Sequence, residues 1–367
     1  MALLNVLQTN ILKIGLTIAL ALALNACKIT EKNNLAPMVD GRPAHHTEDG
    51  FRNLYIEPIS KGAFTFLKMK YFGDEAFSDQ AAEAHLVPTV EPDYNALVSP
   101  GERPQVTWLG HSTFLIQYQG VNILTDPILS DRASPVSFAG PKRLVSMPIT
   151  MANLPPIDYV VISHNHYDHL DQDTIEALGD QALYLVPLKL KPWFVDLGIS
   201  PSQVMEFDWW DERKFQELSV TATPSQHWSA RGLFDRYSSL WAAWHLRIGD
   251  LTLWFGGDTG YNAIQFKEIG ERFKGVDIGL IPIGAYAPRW FMAPQHVNPE
   301  EAINIHRDIG ATKSIGMHWG TFQLTAEPIM EPAERLESAV QSGLLRAKEF
   351  STLAIGETYY HGSVANE

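Results

Sequence analysis

From residue 105 onward the chain sets short apolar runs between polar stretches punctuated by Gly, Pro, Asn and Asp. Runs at 106–109, 114–118, 121–125, 159–163 and 182–186 are rich in β-branched and aromatic side chains, which predicts strands. The same pattern returns at 219–223, 240–248, 251–255, 278–283 and 314–317. Helical periodicity lies between several of these runs. Asp171 and Asp173 suit the first turn of one helix, and a second is expected over 262–273. A third, over 299–309, has Pro299 at its start and Gly310 after its end, and a fourth covers 332–342. Strands and helices mixed in this order predict an α/β fold of stacked sheets covered by helices, within one domain.

The pattern before residue 105 is different. Residues 14–24 form an almost unbroken apolar run, too short to span a bilayer with margin but of the length of a signal-peptide core. The run closes on Leu24-Asn25-Ala26-Cys27, which resembles a bacterial lipobox with Cys27 as the lipidation site. The expected layout is a signal peptide over 1–26, a tether over 27–50, and one folded domain over 51–367 with an N-terminal extension over 51–104. Two or more acyl chains would hold such a protein stably to a membrane. The expected location is therefore the bacterial cell envelope, lipid-anchored, at the outer membrane or facing the periplasm.

Composition narrows the chemistry. The 367 residues carry a formal net charge of −14 and include 10 Trp, 12 Tyr and 17 Phe, so a real core is affordable and disorder is excluded. The acidic balance argues against nucleic acid as a partner. With a single cysteine, neither an intramolecular disulfide nor a cysteine-based zinc site can form, so any metal must be held by His and carboxylate.

The sharpest feature is Ser163-His164-Asn165-His166-Tyr167-Asp168-His169, directly after an expected strand. On extended chain His164 and His166 point the same way, while Asp168 and His169 turn toward a second position. Burying four such side chains so close together is costly unless a metal pairs them. His227, Asp258 and His318 each also follow a β-type run, so all can converge at one end of the sheets. His111, beside a strand, reads as a buried structural histidine. The chain has no nucleophile elbow at Gly110-His111-Ser112-Thr113-Phe114, no phosphohistidine phospholipase string and no P-loop.

The order His-x-His-x-Asp-His, followed by a later His, Asp and His, is similar to that of the metallo-β-lactamase-fold hydrolases. Over 163–171, 223–228, 257–261, 281–292, 295–302 and 318–322 the chain resembles the N-acylphosphatidylethanolamine-hydrolysing phospholipase D branch of that superfamily. The resemblance implies a four-layer αββα sandwich and two Zn²⁺ ions. On it, His164, His166 and His227 hold one zinc; Asp168, His169 and His318 hold the other; Asp258 bridges both. It implies a metal-bridging hydroxide that attacks phosphorus, with Asp168 and Asp258 as the catalytic carboxylates. Two dications, two aspartates and a hydroxide leave about one positive charge, which suits a phosphodiester monoanion.

Further roles follow from the same resemblance. Asp126, in Leu124-Thr125-Asp126-Pro127, resembles an acid that orients a metal-binding histidine, with a turn carboxylate before Pro127 as the alternative. Gln295 and His296 resemble substrate-binding residues, with a cap for the helix near Pro299 as the alternative. Gln172 stands where the animal phospholipases have a tyrosine. Phe64, Phe66, Leu67, Met69, Tyr71 and Phe72, with Trp290, Phe291 and Met292, suit either an acyl-chain groove or ordinary core. The implied reaction cuts N-acylphosphatidylethanolamine to phosphatidic acid and an N-acylethanolamine. The implied partners are a phospholipid substrate and a membrane, and a homodimer is compatible with the sequence. A metal-dependent lactonase of the same fold and a lipid-binding surface lipoprotein with a silent site are the competing readings.

Overall fold

The computed structural model describes residues 43–57, 65, 68, 77–346 and 348–362. Pro43–Glu57 and the chain from Phe77 onward form one compact unit, the larger of two. The expected signal segment, Cys27, Phe64, Phe66, Leu67, Met69, Tyr71 and Phe72 lie outside the described residues. Residues 43–50, expected in the tether, belong to the larger unit. Among the described residues no helix is long and apolar enough to cross a membrane.

Two short helices, α1 (Gln80–Glu83) and α2 (Tyr94–Val98), precede the first sheet. That sheet runs in the order β14-β1-β2-β3-β4-β5-β6, where β1 is Gln105–Gly110, β2 Thr113–Tyr118, β3 Val121–Thr125, β4 Tyr159–Val161, β5 Leu183–Pro187, β6 Val204–Phe207 and β14 Thr358–Tyr360. The second runs β13-β12-β11-β10-β9-β8-β7. Here β7 is Glu212–Lys214, β8 Leu218–Thr223, β9 Ala243–Ile248, β10 Leu251–Phe255, β11 Val276–Pro282, β12 Ala311–Met317 and β13 Phe350–Ser351. Each sheet is antiparallel on one side and parallel on the other, the change falling at β3 and at β10. The β2–β3 hairpin turns at Gln119 and Gly120, both at positive φ (49° and 78°), as a two-residue turn requires.

Alternation along the strands builds the layers. Ile123 and Leu124 are neighbours, yet they enter different cores, because successive side chains point to opposite faces. Trp108, Phe114, Ile116 and Ile123 join Trp244, Leu246, Leu253 and Leu280 of the other sheet in one core. Leu115, Leu124, Val160 and Tyr184 pack instead with Ile175 and Leu178 of α3 (Gln172–Leu178) and Phe194 of α4 (Lys191–Asp196). Each such fully buried aliphatic side chain contributes about 1.5–3 kcal/mol. Between the strands of the second sheet the chain forms α5 (Gln265–Phe273), the short α6 (Arg289–Met292), α7 (Pro299–Asp308) and α8 (Glu331–Gln341). Of these, α7 packs on β11 and β12, and α8 on α7 and β13. The result is the αββα sandwich expected from the sequence.

Some boundaries moved for identifiable reasons. Helix α5 begins at Gln265 because Asn262 Oδ1 accepts from the N–H groups of Ile264 (3.2 Å) and Gln265 (2.8 Å), acting as a cap outside the helix. The run 240–248 is a strand only from Ala243, because Leu240 and Ala242 donate across to Leu188 O and Ser163 O of the first half. Three buried indoles hold the loops at the sheet ends: Trp244 donates to Ile162 O (3.0 Å), Trp241 to Ser225 O (2.9 Å) and Trp254 to Thr223 Oγ1 (3.1 Å).

Candidate metal centre

Five strands deliver the polar residues. Asp126 follows β3, His164 to His169 follow β4, His227 follows β8, Asp258 follows β10 and His318 follows β12. The backbone bends sharply to present them, with φ of +31° at Asp126, +64° at His318 and +53° at Gly257. A Cβ on Gly257 would lie 2.4 Å from Ser163 Cβ, so only glycine lets the Asp258 loop pass over the β4 end.

The donors converge in two adjoining groups. His164, His166, His227 and Asp258 each offer an atom within 4.8 Å of the others, and so do His111, Asp168, His169 and His318. Asp258 spans the two: its Oδ2 lies 3.6 Å from His227 Nε2 and 3.2 Å from His169 Nε2, and its Oδ1 lies 3.0 Å from His318 Nε2. Asp168 Oδ2 lies 3.4 Å from His169 Nε2 and 3.5 Å from His318 Nε2. All seven residues proposed as ligands from the sequence are thus gathered at one place.

The reverse sides of the rings show what they can bind. His169 Nδ1 is 2.7 Å from Asp126 Oδ2, and His227 Nδ1 is 3.0 Å from the Gln295 carbonyl. A carboxylate and a carbonyl only accept, so both rings carry their proton on Nδ1. His164 Nδ1 faces Ser163 Oγ at 2.8 Å, and that hydroxyl donates to Asp126 Oδ2 at 2.5 Å, which fixes the same tautomer. The Nε2 lone pairs therefore point inward together. His164 Nε2 lies 2.8 Å from His166 Nδ1, and with its proton on Nδ1 the His164 ring is the acceptor of that contact. His166 Nε2 is buried without a hydrogen-bond partner. The donor set of imidazole nitrogen and carboxylate oxygen fits divalent transition metals.

The electrostatics agree. Burial, aided by neighbouring imidazoles, holds His164 well below the usual range, and burial lowers His166 to about 4. Burial also opposes charge on His318, yet the Asp258 and Asp168 carboxylates raise it to about 9. Burial disfavours the Asp258 anion as well, but His169, His318 and His296 hold that carboxyl far below the ordinary range. The pit is a strong trap for positive charge.

The remaining expectations sort clearly. Asp126 orients His169 and, through Ser163, His164, and its Oδ1 also accepts from Ser163 N at 2.6 Å. The cap of α7 is Asn298, in a capping box with Glu301, and not Gln295 or His296. His296 Nδ1 lies 3.9 Å from Asp258 Oδ2, beside the centre. Gln172 is exposed and donates to Glu176. Of the three apolar residues in α6, Trp290 is exposed and Phe291 buried. His111 is buried, as expected, but its Nε2 reaches Asp168 Oδ2 at 3.0 Å, which places it at the centre.

Two further supports carry no signal in the sequence. The Arg231 guanidinium donates to Asn165 O (3.1 Å) and Leu170 O (2.7 Å), gripping both ends of the histidine loop. Asn53 Nδ2 donates to His227 O at 2.8 Å.

Residues 121–319 match the model of the beta-lactamase superfamily domain. The N-acyl-phosphatidylethanolamine-hydrolyzing phospholipase D 1 of Caenorhabditis elegans is 41% identical over 265 residues, covering 69% of this chain and 74% of the relative. The mitochondrial enzyme of that name in Saccharomyces cerevisiae is 40% identical over 245 residues, covering 65% of this chain and 52% of the relative. Among solved structures, an isothiocyanate hydrolase from Delia radicum gut bacteria superposes with a TM-score of 0.57 at 21% identity, covering 70% of this chain and 98% of that one. A metallo hydrolase from Ignicoccus hospitalis gives 0.51 at 23%, covering 70% and 97%. These last two share the fold. With its two mixed sheets and its His/Asp clusters, the chain belongs to the beta-lactamase superfamily and is a metal-dependent hydrolase.

Proposed function

We propose that this chain is a binuclear zinc phosphodiesterase that hydrolyses N-acylphosphatidylethanolamine-type phospholipids to phosphatidic acid and an N-acylethanolamine. The observation that carries the reading is the pair of donor groups with Asp258 between them, in a chain 41% identical to the Caenorhabditis elegans relative. His164, His166 and His227 would hold one ion, Asp168, His169 and His318 the other, and Asp258 both. When bound, such a pair acidifies water to a nucleophile and polarises the phosphoryl oxygens.

The protein's own part is orientation and charge. Asp126, Ser163 and the Gln295 carbonyl hold the Nδ1 atoms of His169, His164 and His227, so these three rings already present Nε2 to the centre and none has to turn to bind. His111 holds Asp168 by one oxygen and keeps it aimed at the centre. His296, which burial lowers to about 3, is neutral at pH 7 and beside Asp258 is placed to offer a hydrogen bond to a phosphoryl oxygen. Support for a lipid substrate comes from exposed apolar side chains. Leu233 and Phe234 sit on the same β8–β9 loop as His227, and Trp290 on α6. Acylation at Cys27 would hold the enzyme at an envelope membrane, where its substrate is concentrated.

The test is a substrate panel of N-acylated and plain phosphatidylethanolamine, simple phosphodiesters and lactones, assayed with zinc-loaded protein. Release of N-acylethanolamine and phosphatidic acid is expected. Turnover of lactones alone would overturn the substrate assignment in favour of a lactonase.

A further inference from the structure

A third cluster of metal-type donors lies away from the centre. His45 Nε2 is 2.6 Å from Asp208 Oδ1, and His46 Nε2 is 2.8 Å from Asp208 Oδ2. The donor atoms of the three residues lie within 4.8 Å of one another, and none of the three belongs to the groups around Asp258. All three side chains are fixed before any ligand arrives. His45 is buried and stacked on Trp209, with ring centroids 4.2 Å apart. His46 meets Phe51 edge-on at 5.0 Å. Asp208 Oδ1 accepts from Trp209 N at 2.8 Å, and Asp208 N donates to Asp211 Oδ2 at 3.1 Å. The side chains of His46 and Asp208 remain 23% and 19% exposed, which leaves an approach open to solvent.

We propose that His45, His46 and Asp208 form a separate site for a divalent transition-metal cation, with its remaining positions taken by water. Two imidazoles and one carboxylate suit Zn²⁺, Co²⁺ or Ni²⁺, whereas Mg²⁺ and Ca²⁺ prefer an all-oxygen shell. Occupancy exchanges the two imidazole–carboxylate hydrogen bonds for metal–nitrogen and metal–oxygen bonds. The Nε2 protons move to Nδ1 or to water, so each ring binds as the neutral ligand.

The position of the site assigns it a role. His45 and His46 open a segment that crosses to the central histidines. Phe51 N donates to Tyr237 O at 2.9 Å, and two residues later Asn53 Nδ2 donates to the carbonyl of His227. Gly50 permits the approach, since a Cβ there would lie 2.1 Å from Tyr237 O. The segment is thus tied at one end by the cluster and at the other to the backbone of a residue of the main centre. A cation at His45, His46 and Asp208 staples this strap in place.

Metal content of the purified full chain, dialysed against excess Zn²⁺ and then against metal-free buffer, decides the matter. His46→Gln keeps an N–H that can reach Asp208 but removes the imidazole ligand. It is expected to lose one equivalent of zinc per chain relative to the unaltered protein, whatever number the main centre retains. Asp208→Asn should lose the same equivalent, and Asp258→Asn should keep it. Amide hydrogen exchange over 45–53 should slow on adding Zn²⁺ to Asp258→Asn protein, and should not when His46→Gln is combined with it. Equal zinc content in the unaltered protein and in both His46→Gln and Asp208→Asn would show a hydrogen-bonded clamp only, and would overturn the proposal. Zinc-independent exchange in Asp258→Asn protein would also overturn it.

Discussion

Asp126→Asn tests how the centre is held, because the substitution keeps shape and removes charge. Asp126 is fully buried and accepts from Ser163 N (2.6 Å), Ser163 Oγ (2.5 Å) and His169 Nδ1 (2.7 Å). An asparagine oxygen can keep Ser163 N, but its amide then faces two groups that also donate. His169 can accept from that amide only by moving its proton to Nε2, the atom that lies 3.2 Å from Asp258. The nitrogen needed for the cation is then blocked. Loss of such an orienting partner costs 10–100-fold in metal affinity, about 1.4–2.8 kcal/mol. The loss should fall mainly on the ion served by Asp168, His169 and His318. Competition between the protein and a chelator, followed by the visible spectrum of Co²⁺, separates a weakened ion from an unaffected one. Ser163→Ala, which touches His169 only through Asp126, should show a smaller loss that falls on the His164 side. Wild-type affinity for both ions in Asp126→Asn, with unchanged turnover, would refute the reasoning.

Other consequences are as direct. Asp258→Asn should weaken both ions together and abolish hydrolysis, read by zinc content and turnover; loss of one ion only would contradict a shared carboxylate. Gly257→Ala places a Cβ 2.4 Å from Ser163 Cβ at φ +53° and should cost about 2–4 kcal/mol in denaturant unfolding. Lys313, lowered by burial to about 8, is penalised as a cation in the folded state. Its contribution to stability is therefore lost below about 8 and regained as pH rises toward the ordinary lysine value of 10.5, so Lys313→Met should flatten the rise in stability over that window. An unchanged pH slope in that variant would count against the assigned burial.

The histidine loop was legible because its donors are adjacent in sequence, so spacing alone brings them together. Asp126, His227, Asp258 and His318 were legible because each follows an apolar run that became a strand ending at the same edge. The role of His111 was not, since its partner Asp168 is 57 residues away and a lone histidine beside a strand carries no spacing signal. His45 and His46 read as tether because their neighbours are polar; what orders them is Trp209 and Asp208, which follow six strands of the first sheet in sequence. Strands β6 and β7 were missed for a related reason. Val204–Phe207 has polar or half-buried centre positions, and Glu212–Lys214 is exposed throughout, so neither shows an apolar run.

The central claim is that seven side chains gather two cations around one shared carboxylate. Anomalous diffraction at the zinc edge from crystals of zinc-loaded protein tests it most directly. The account predicts two peaks at the β4, β8, β10 and β12 ends, both within bonding distance of Asp258. A single peak there, or two that do not share Asp258, would contradict it.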